Sequence, residues 1–296
     1  MAARDVRQRL ATALRAVNAR RRLPEISANS LAQFTAIVAA LARRWPKSDL
    51  WFRGLDNAAH ALIPGTYRRK DLYEDEEEDE RRYEFRRRAV QFPIPRPSSD
   101  WEWYFLMQHQ GLETRLLDWS EAALIGLYFA VRVVKGQKDA KGKRDAAVWI
   151  LDPSWLQEEV VRKCDFLPER RGPESRRLRD FILKYMPDPS DERTKWIREY
   201  LPLEFSESTL PMYPAPLRPP QIHRRIAAQL SAFTIHGRVH KGLEELALQV
   251  GRPRLLKIRI PSRFVASIRA DLETCGIVET TVFPELEALG RELGGS

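Results

Sequence analysis

Cysteine is scarce in this chain, since Cys164 and Cys275 are the two examples among 296 residues. They lie in unrelated contexts, and neither belongs to a CxxC pair or to a Cys/His cluster with the spacing of zinc ligands. A disulfide framework and a structural zinc site are therefore not expected, and both thiols are predicted to be reduced.

Long hydrophobic runs are also missing. The longest apolar-leaning stretch, Ala122 to Val134, is interrupted by Arg132 and is shorter than the roughly 20 residues that span a bilayer. It is typical of a buried helix. The first residues lack the apolar core and small-residue cleavage site of a secretory signal. We therefore expect no membrane partner and a cytoplasmic location.

Positive charge is in excess, with 50 lysine and arginine residues against 41 acidic ones and a net charge of +9. The 43% hydrophobic content is enough for a sizeable core. The basic residues are mainly arginine, which favours affinity for nucleic acid or other polyanions. Arginine-rich coding from a GC-rich genome gives the same excess, so charge alone leaves both interpretations open.

The first 22 residues hold seven arginines and one acidic residue. Val6, Leu10, Leu14 and Val17 recur at helical spacing, which predicts a basic amphipathic helix within an N-terminal arm, residues 1–30. Such a helix resembles an organelle transit sequence or an arm that contacts nucleic acid. The preferred interpretation is a helix docked on its own domain.

The remaining pattern predicts the α+β class, a mixed sheet core with flanking helices. One helix begins near Ser30 and ends by Pro46, another covers Ala122 to Val134, and a last helix follows Phe283-Pro284. Residues 153–205 have amphipathic spacing, which indicates a helical insertion. The predicted strands are residues 50–53, 146–151, 229–235 and 255–260.

An acidic run, Glu74 to Glu80, is followed directly by five arginines between residues 81 and 88. Opposite charges near the two ends of one helix complement its dipole. We interpret this segment as a solvated helix with internal ion pairs. Metal binding by the acidic run is a lesser alternative.

Three polar clusters are candidates for chemistry, and the first is Arg53-Gly54. An arginine in a strand next to a glycine suits an anionic ligand such as a pyrophosphate, because the guanidinium is a forked donor and glycine permits close approach. The alternative, which the local residues do not separate from it, is an arginine held in a structural ion pair.

The second cluster, His109 to Ser120, lies between two predicted apolar helices. It contains more polar side chains than a plain connection needs. Asp118 and Ser120 suit either chemistry or capping of the next helix. His109, Gln110 and Arg115 are less easily explained by capping.

The third cluster runs from Gln229 to Gly237. Strand alternation through Phe233 would place Gln229 at the rim of an otherwise apolar face. His236 and His240 have the spacing of helical metal ligands, but Gly237 intervenes and no third ligand is evident, so no metal is expected.

Together the three clusters resemble the FRG domain, a family widespread in bacteria and their phages. The motifs that carry the resemblance are Trp51-Phe52-Arg53-Gly54, the segment HQGLETRLLDWSEAALIGLYFA and the segment RIAAQLSAFTIHG. They are similar to the family pattern in order and spacing over residues 31–292. One departure is that the family usually has a sequence closer to QQG before the phenylalanine of the third motif.

The FRG pattern is in turn remotely similar to ADP-ribosyltransferases, which implies a related core and NAD as substrate. By that resemblance Arg53 and Gly54 bind the pyrophosphate, His109 and Thr114 hold the nicotinamide ribose, and Phe233 stacks near the nicotinamide. Gln110 and Arg115 complete the expected dinucleotide contacts. The expected catalytic residues are Arg53, His109 and Gln229.

This chain lacks the glutamate that those enzymes carry on a late strand, and Gln229 is found near the expected position. A neutral amide gives no negative charge to a developing cation. Three explanations stay open: variant chemistry, a carboxylate supplied by Glu113 or Asp118, or a binding module without turnover.

The function expected from the resemblance is an NAD-dependent ADP-ribosyltransferase-like enzyme, as a bacterial toxin or phage-defence effector. The acceptor macromolecule, protein or nucleic acid, is open. The main alternative is a nucleic-acid or nucleotide binding module without catalysis, and a third is a metal-dependent hydrolase of nucleic acid.

Overall fold

A computed structural model describes most of the chain. The described residues are 3–20, 22–46, 49–68, 75–92, 94, 96–132, 144–163, 197–198, 200–201, 210–221, 223–249 and 253–294. Within them lie seven strands, namely β1 (Glu25–Ser27), β2 (Trp51–Leu55), β3 (Leu116–Ser120), β4 (Ala146–Leu151), β5 (Ala215–Leu217), β6 (Ser231–Ile235) and β7 (Leu255–Ile260).

Helices flank these strands throughout the described residues. They are α1 (Ala3–Arg20), α2 (Leu31–Arg44), α3 (Gly65–Arg68), α4 (Asp75–Ala89), α5 (Asp100–His109), α6 (Ala123–Val131), α7 (Pro153–Lys163), α8 (Arg224–Ala228), α9 (Leu243–Ala247), α10 (Ser262–Thr274), α11 (Glu279–Val282) and α12 (Leu286–Leu293). None of them is long and apolar enough to cross a membrane.

All seven strands form one mixed sheet in the order β1-β7-β4-β2-β3-β6-β5. The pairing of β1 with β7 is parallel and the other pairings are antiparallel. The mixed helix-and-strand class expected from the sequence is confirmed.

The sheet separates two apolar cores. One core includes Trp51, Phe105 and Phe233, and the other includes Phe52 and Leu127. Neighbouring residues of β2 thus pack on opposite faces, as the period of a strand requires. Helix α5 covers the first face, whereas α2, α6 and α10 cover the second.

The pairing of β2 with β3 is the shortest strand pairing in this sheet. β2 pairs with β4 over five residues and β3 pairs with β6 over five residues, but β2 and β3 share the single pair Phe52↔Ser120. Beyond that pair the two strands diverge. This opening in the sheet positions the candidate site.

Several predicted elements are confirmed. β4 and β7 have the predicted bounds, and α2 begins after Ser30, whose side chain accepts a hydrogen bond from the Gln33 amide. The docked N-terminal helix is confirmed as well, because Val6 and Leu10 are buried and α1 packs on α2. The domain boundary near residue 30 stays a prediction.

Two predicted elements differ from the structure. The segment before α6 was expected to be a polar connection, yet residues 116–120 form β3, buried between β2 and β6. Gln229 was expected in a strand but is the C-cap of α8, since Leu230 has a φ of 44° and separates it from β6. Most of the predicted insertion, residues 153–205, lies outside the described residues; its start forms α7.

Candidate functional site

A cleft of about 490 Å³ opens where β2 and β3 diverge. Its walls come from β2, β3, the end of α5, the end of α6 and the segments around α8 and α11. The lining residues are Phe52, Arg53, Gly54, Leu55, Asp56, His60, Arg68, Gln108, His109, Asp118, Trp119, Ser120, Phe129, Arg132, Arg225, Gln229 and Phe283. Four arginines face two aspartates in this set, so the cleft favours an anionic ligand.

Arg53 bridges the opening between the strands. Its side chain is 14% exposed, and Nη1 donates to the backbone carbonyl of Asp118 at 2.6 Å and to Asp118 Oδ2 at 3.4 Å. Arg53 thus donates a hydrogen bond to the Asp118 carbonyl at a point where β2 and β3 no longer pair through their backbones. Burial lowers the pKa of Arg53, and Asp118 partly offsets this effect. Nε of Arg53 is buried without a hydrogen-bond partner among the described residues.

Asp118 presents a fixed carboxylate to the cleft. Its side chain is 50% exposed, and Gln108 Nε2 donates to Oδ1 at 3.0 Å and to Oδ2 at 2.9 Å. The hydroxyl of Thr114 donates to Gln108 Oε1, which fixes the orientation of the amide. A half-open carboxylate with this support can face a developing positive charge.

His109, the last residue of α5, lies beside this pair. Its ring meets Phe233 edge-on at 5.8 Å, and Nε2 is buried without a hydrogen-bond partner among the described residues. Burial lowers the pKa of His109 to about 4, against an opposing effect of Asp118. The imidazole is therefore neutral near pH 7.

Arg225 and Gln229 fix the opposite wall. Arg225 donates to Glu285 from Nε at 2.7 Å and from Nη2 at 2.6 Å, and Nη1 donates to the His109 carbonyl at 2.6 Å. The Gln229 amide donates to the Val282 carbonyl at 3.2 Å. Gln229 therefore ties α8 to α11.

The central residues of this cleft lie in a segment that matches a known protein family. The family model of the FRG domain matches residues 48–139, which include Arg53, Gln108, His109, Asp118 and Arg132. This segment of the chain is similar to the FRG domain. No curated protein and no solved structure shows a significant match to the chain.

Three residues that were predicted to contact NAD are buried and are not among the residues that line the cleft. Thr114 is 1% exposed, and its hydroxyl donates a hydrogen bond to Gln108 Oε1. Phe233 is fully buried and stacks on Phe105, with ring centroids 5.2 Å apart. Arg115 is fully buried as well.

Arg115 instead forms a buried ion pair with Glu78, in which Nε lies 3.0 Å from Oε2. Its Nη1 and Nη2 donate to the carbonyls of His236 and Tyr200, so one guanidinium joins β3 to three other segments. Glu78 belongs to the acidic run that was expected to be solvated. That expectation fails for Glu78, while Arg82 with Asp79 and Arg87 with Glu84 form the predicted ion pairs within α4.

Gln110 and Gly54 also differ from their predicted roles. Gln110 is exposed and lines two neighbouring grooves instead of the cleft. Gly54 lies at the cleft, but its close approach is to helix α6, because a Cβ there would stand 2.0 Å from the Gly126 carbonyl oxygen. The glycine of the FRG motif is therefore explained by helix packing.

The two carboxylates proposed as substitutes for the missing glutamate are separated by the fold. Asp118 lines the cleft, whereas Glu113 lies against Gly65 and is not among the lining residues. Asp118 is thus the substitute that the cleft contains. Gln229 lines the cleft too, although it enters from the end of α8.

Sequence reasoning missed Arg68, Arg132, Arg225 and Phe283 as cleft residues. For Arg132 a signal was present, because it is the charged residue that interrupts the apolar run of α6. The other three carry no local signal, since their segments reach the cleft through tertiary packing.

No group of three His, Cys, Asp or Glu side chains in the described part of the chain could hold a metal ion. His236 is buried beside Thr234, and His240 stacks on Tyr67 with ring centroids 4.0 Å apart. Cys275 is a free, exposed thiol, and Cys164 lies outside the described residues.

Proposed function

We propose that the cleft binds NAD and cleaves its nicotinamide–ribose bond, as an ADP-ribosyltransferase-like enzyme. The observation that carries this proposal is the convergence of Arg53 and Asp118 in the opening of the sheet, with the carboxylate held by Gln108 and half exposed. A cation for the phosphates and an anion for the ribose are the two charges that the reaction needs.

The proposed roles follow from the hydrogen bonds. Arg53 uses its unpartnered Nε for the pyrophosphate while Nη1 holds the Asp118 segment. Asp118 faces the ribose and takes over, from β3, the role that the resemblance gives to a late-strand glutamate. The amide of Gln229 donates to the Val282 carbonyl and positions the wall, so in this proposal Asp118 and not Gln229 stabilises the developing cation.

In the proposed step the bond between ribose C1′ and the nicotinamide ring nitrogen breaks, and its electron pair leaves with neutral nicotinamide. The cation that develops at C1′ is stabilised by the Asp118 carboxylate. An acceptor hydroxyl or water then forms a bond from oxygen to C1′ and gives its proton to solvent. His109, neutral at pH 7, offers Nε2 to a ribose hydroxyl.

The test is incubation of the purified chain with labelled NAD and a cell extract, followed for free nicotinamide and for label on macromolecules. We expect nicotinamide release from the wild type and a strong loss in Arg53→Ala. Label on protein or nucleic acid identifies a transferase and its acceptor, whereas release alone identifies a glycohydrolase. Absence of both signals with folded wild type contradicts the proposal.

A cellular role as a toxin or phage-defence effector belongs to the same proposal. It predicts that expression of the wild type slows growth and that Arg53→Ala relieves the effect at equal soluble amounts. Unaltered growth with abundant soluble wild type contradicts this role.

A binding module for nucleotides or nucleic acid is the second candidate. It is favoured by one observation, the excess of arginine over aspartate in the cleft lining. Contacts with a nucleic-acid backbone weaken steeply as salt rises, because counterions are released on binding. Steep salt dependence without nicotinamide release would favour the module over the enzyme.

A further inference from the structure

The four arginines of the cleft differ in how far their donors are already engaged. Arg225 is held by Glu285 through two short bonds and by the His109 carbonyl through a third. Arg53 is tied to Asp118 through Nη1. Arg68 is exposed and its Nε donates to the Ile63 carbonyl at 3.3 Å.

Arg132 stands apart from these three. It is the C-cap of α6, and its guanidinium carbon lies 5.0 Å from the ring centre of Phe129 and 5.5 Å from that of Phe283. Within the described residues it forms no ion pair with a carboxylate. Asp56, which also lines the cleft, interacts electrostatically with the Arg132 guanidinium but forms no ion pair with it. Its N–H donors therefore remain available for a ligand.

The aromatic support of Arg132 is itself fixed. Phe283 contacts two guanidinium groups, since the guanidinium carbon of Arg225 is 5.3 Å from the centre of the same ring. The rings of Phe129 and Phe283 meet edge-on at 5.9 Å. A cation–π contact holds a guanidinium over an aromatic ring without using its N–H donors as hydrogen bonds to another side chain, and such donors suit the oxygens of a phosphate.

We infer that Arg132, supported by Phe129 and Phe283, is a second anion subsite of the cleft and binds a phosphate ester. The inference rests on the cleft of the proposed function but requires no bond cleavage. The phosphate could come from the dinucleotide itself or from a phosphodiester of a nucleic-acid acceptor. Both present the same oxygens to the guanidinium, and the experiment separates them.

The test compares Arg132→Gln with the wild type in binding ADP-ribose, a labelled single-stranded oligonucleotide, and adenosine as the probe without phosphate. The matched control is Arg263→Gln, because Arg263 is exposed on α10, stacks on Phe264 at 4.8 Å and is not in the cleft lining. We expect Arg132→Gln to weaken one phosphate probe by about 10-fold or more, the size of a lost charged hydrogen bond.

The three probes distinguish the possible outcomes. A loss for ADP-ribose assigns the subsite to the dinucleotide, and a loss for the oligonucleotide alone assigns it to the acceptor. Undiminished binding of both phosphate probes, no binding of either by wild type, or an equal loss in Arg263→Gln would overturn the inference. An equal loss for adenosine would do so as well.

A second variant covers the case in which Arg132→Gln does not fold. Arg132→Lys keeps the charge but not the flat stacked group, and we expect several-fold weaker phosphate binding. Wild-type affinity in that variant would contradict the role of the guanidinium. Nicotinamide release is followed in parallel, so a wild type that binds through Arg132 without releasing nicotinamide would refute the proposed enzyme and keep the subsite.

Discussion

Gly54 of β2 and Gly126 of α6 lie in direct contact across the second face of the sheet. A Cβ on Gly54 would stand 2.0 Å from the Gly126 carbonyl oxygen and 2.4 Å from the Ala130 amide nitrogen, and a Cβ on Gly126 would stand 2.6 Å from the Cβ of Phe52. The two glycines let α6 approach β2 closely. This contact sets the position of Phe129 and Arg132 relative to Arg53.

Gly54→Ala is expected to lower the free energy of unfolding by about 2 kcal/mol or more, because its Cβ would overlap backbone that cannot move aside. The matched control is Gly290→Ala in α12, where a Cβ meets nothing within 4 Å. The control is expected to be neutral or stabilising by up to about 1 kcal/mol. Chemical denaturation measures both. Equal effects of the two substitutions would contradict the packing role of Gly54.

Glu78→Gln is expected to cost about 3–5 kcal/mol of stability, because the buried guanidinium of Arg115 would lose the buried carboxylate that pairs with it. Glu84→Gln on the same helix is the control. The Glu84 side chain is 35% exposed and pairs with the exposed Arg87 and Arg88, so the cost of its replacement is expected to be small. Denaturation curves that show equal losses for the two glutamates would contradict the buried pair.

Stability is expected to fall as the pH drops from about 6.5 toward 4. Burial lowers the pKa of His109 to about 4 and that of His236 to about 3, while unfolded histidines bind a proton near pH 6.5. The unfolded state therefore binds more protons in this window, and each histidine contributes a slope of up to about 1.4 kcal/mol per pH unit.

The measurement is the free energy of unfolding against pH for His109→Asn and for a control, His60→Asn, whose side chain is exposed. The His109 variant is expected to have a flatter dependence than the wild type, and the His60 variant the wild-type slope. Parallel curves for wild type and the His109 variant would contradict a buried neutral imidazole.

Asp118→Asn is expected to lower the rate of nicotinamide release by about 100-fold or more, since the amide cannot stabilise the cation at C1′. NAD affinity should change less, because the role is specific to the transition state. Asp56→Asn is the matched control, as Asp56 lines the same cleft beside His60. Equal losses of rate in the two variants would argue against a special role for Asp118.

The sequence was informative where an apolar run or an apolar alternation is clear, or where a segment ends at a proline. β4 is a continuous apolar run, β7 alternates apolar residues with Lys257 and Arg259, and α2 has a serine cap and Pro46 beyond its end. For Arg53 the sequence left an anion site and a structural ion pair open; the side chain lines the cleft and pairs with Asp118, and the anion contact stays a prediction. Local patterns fix such elements because burial dictates each residue.

β3 was missed because one of its residues faces the cleft. Asp118 is a polar residue among apolar neighbours, which hides the period of the strand. The contact between Glu78 and Arg115 was missed for another reason. The two residues lie in different elements, and each side chain looked solvated or ligand-binding when considered alone. Only the packing of α4 on the core brings them together.

NAD affinity measured by calorimetry for Arg53→Gln tests the central claim most directly, with Arg263→Gln as control and thermal melting to establish folding. The account predicts that the wild type binds NAD, that Arg263→Gln binds equally well, and that Arg53→Gln binds about 10-fold more weakly or worse. A folded Arg53→Gln protein with undiminished NAD affinity, or a wild type that does not bind NAD, would contradict it.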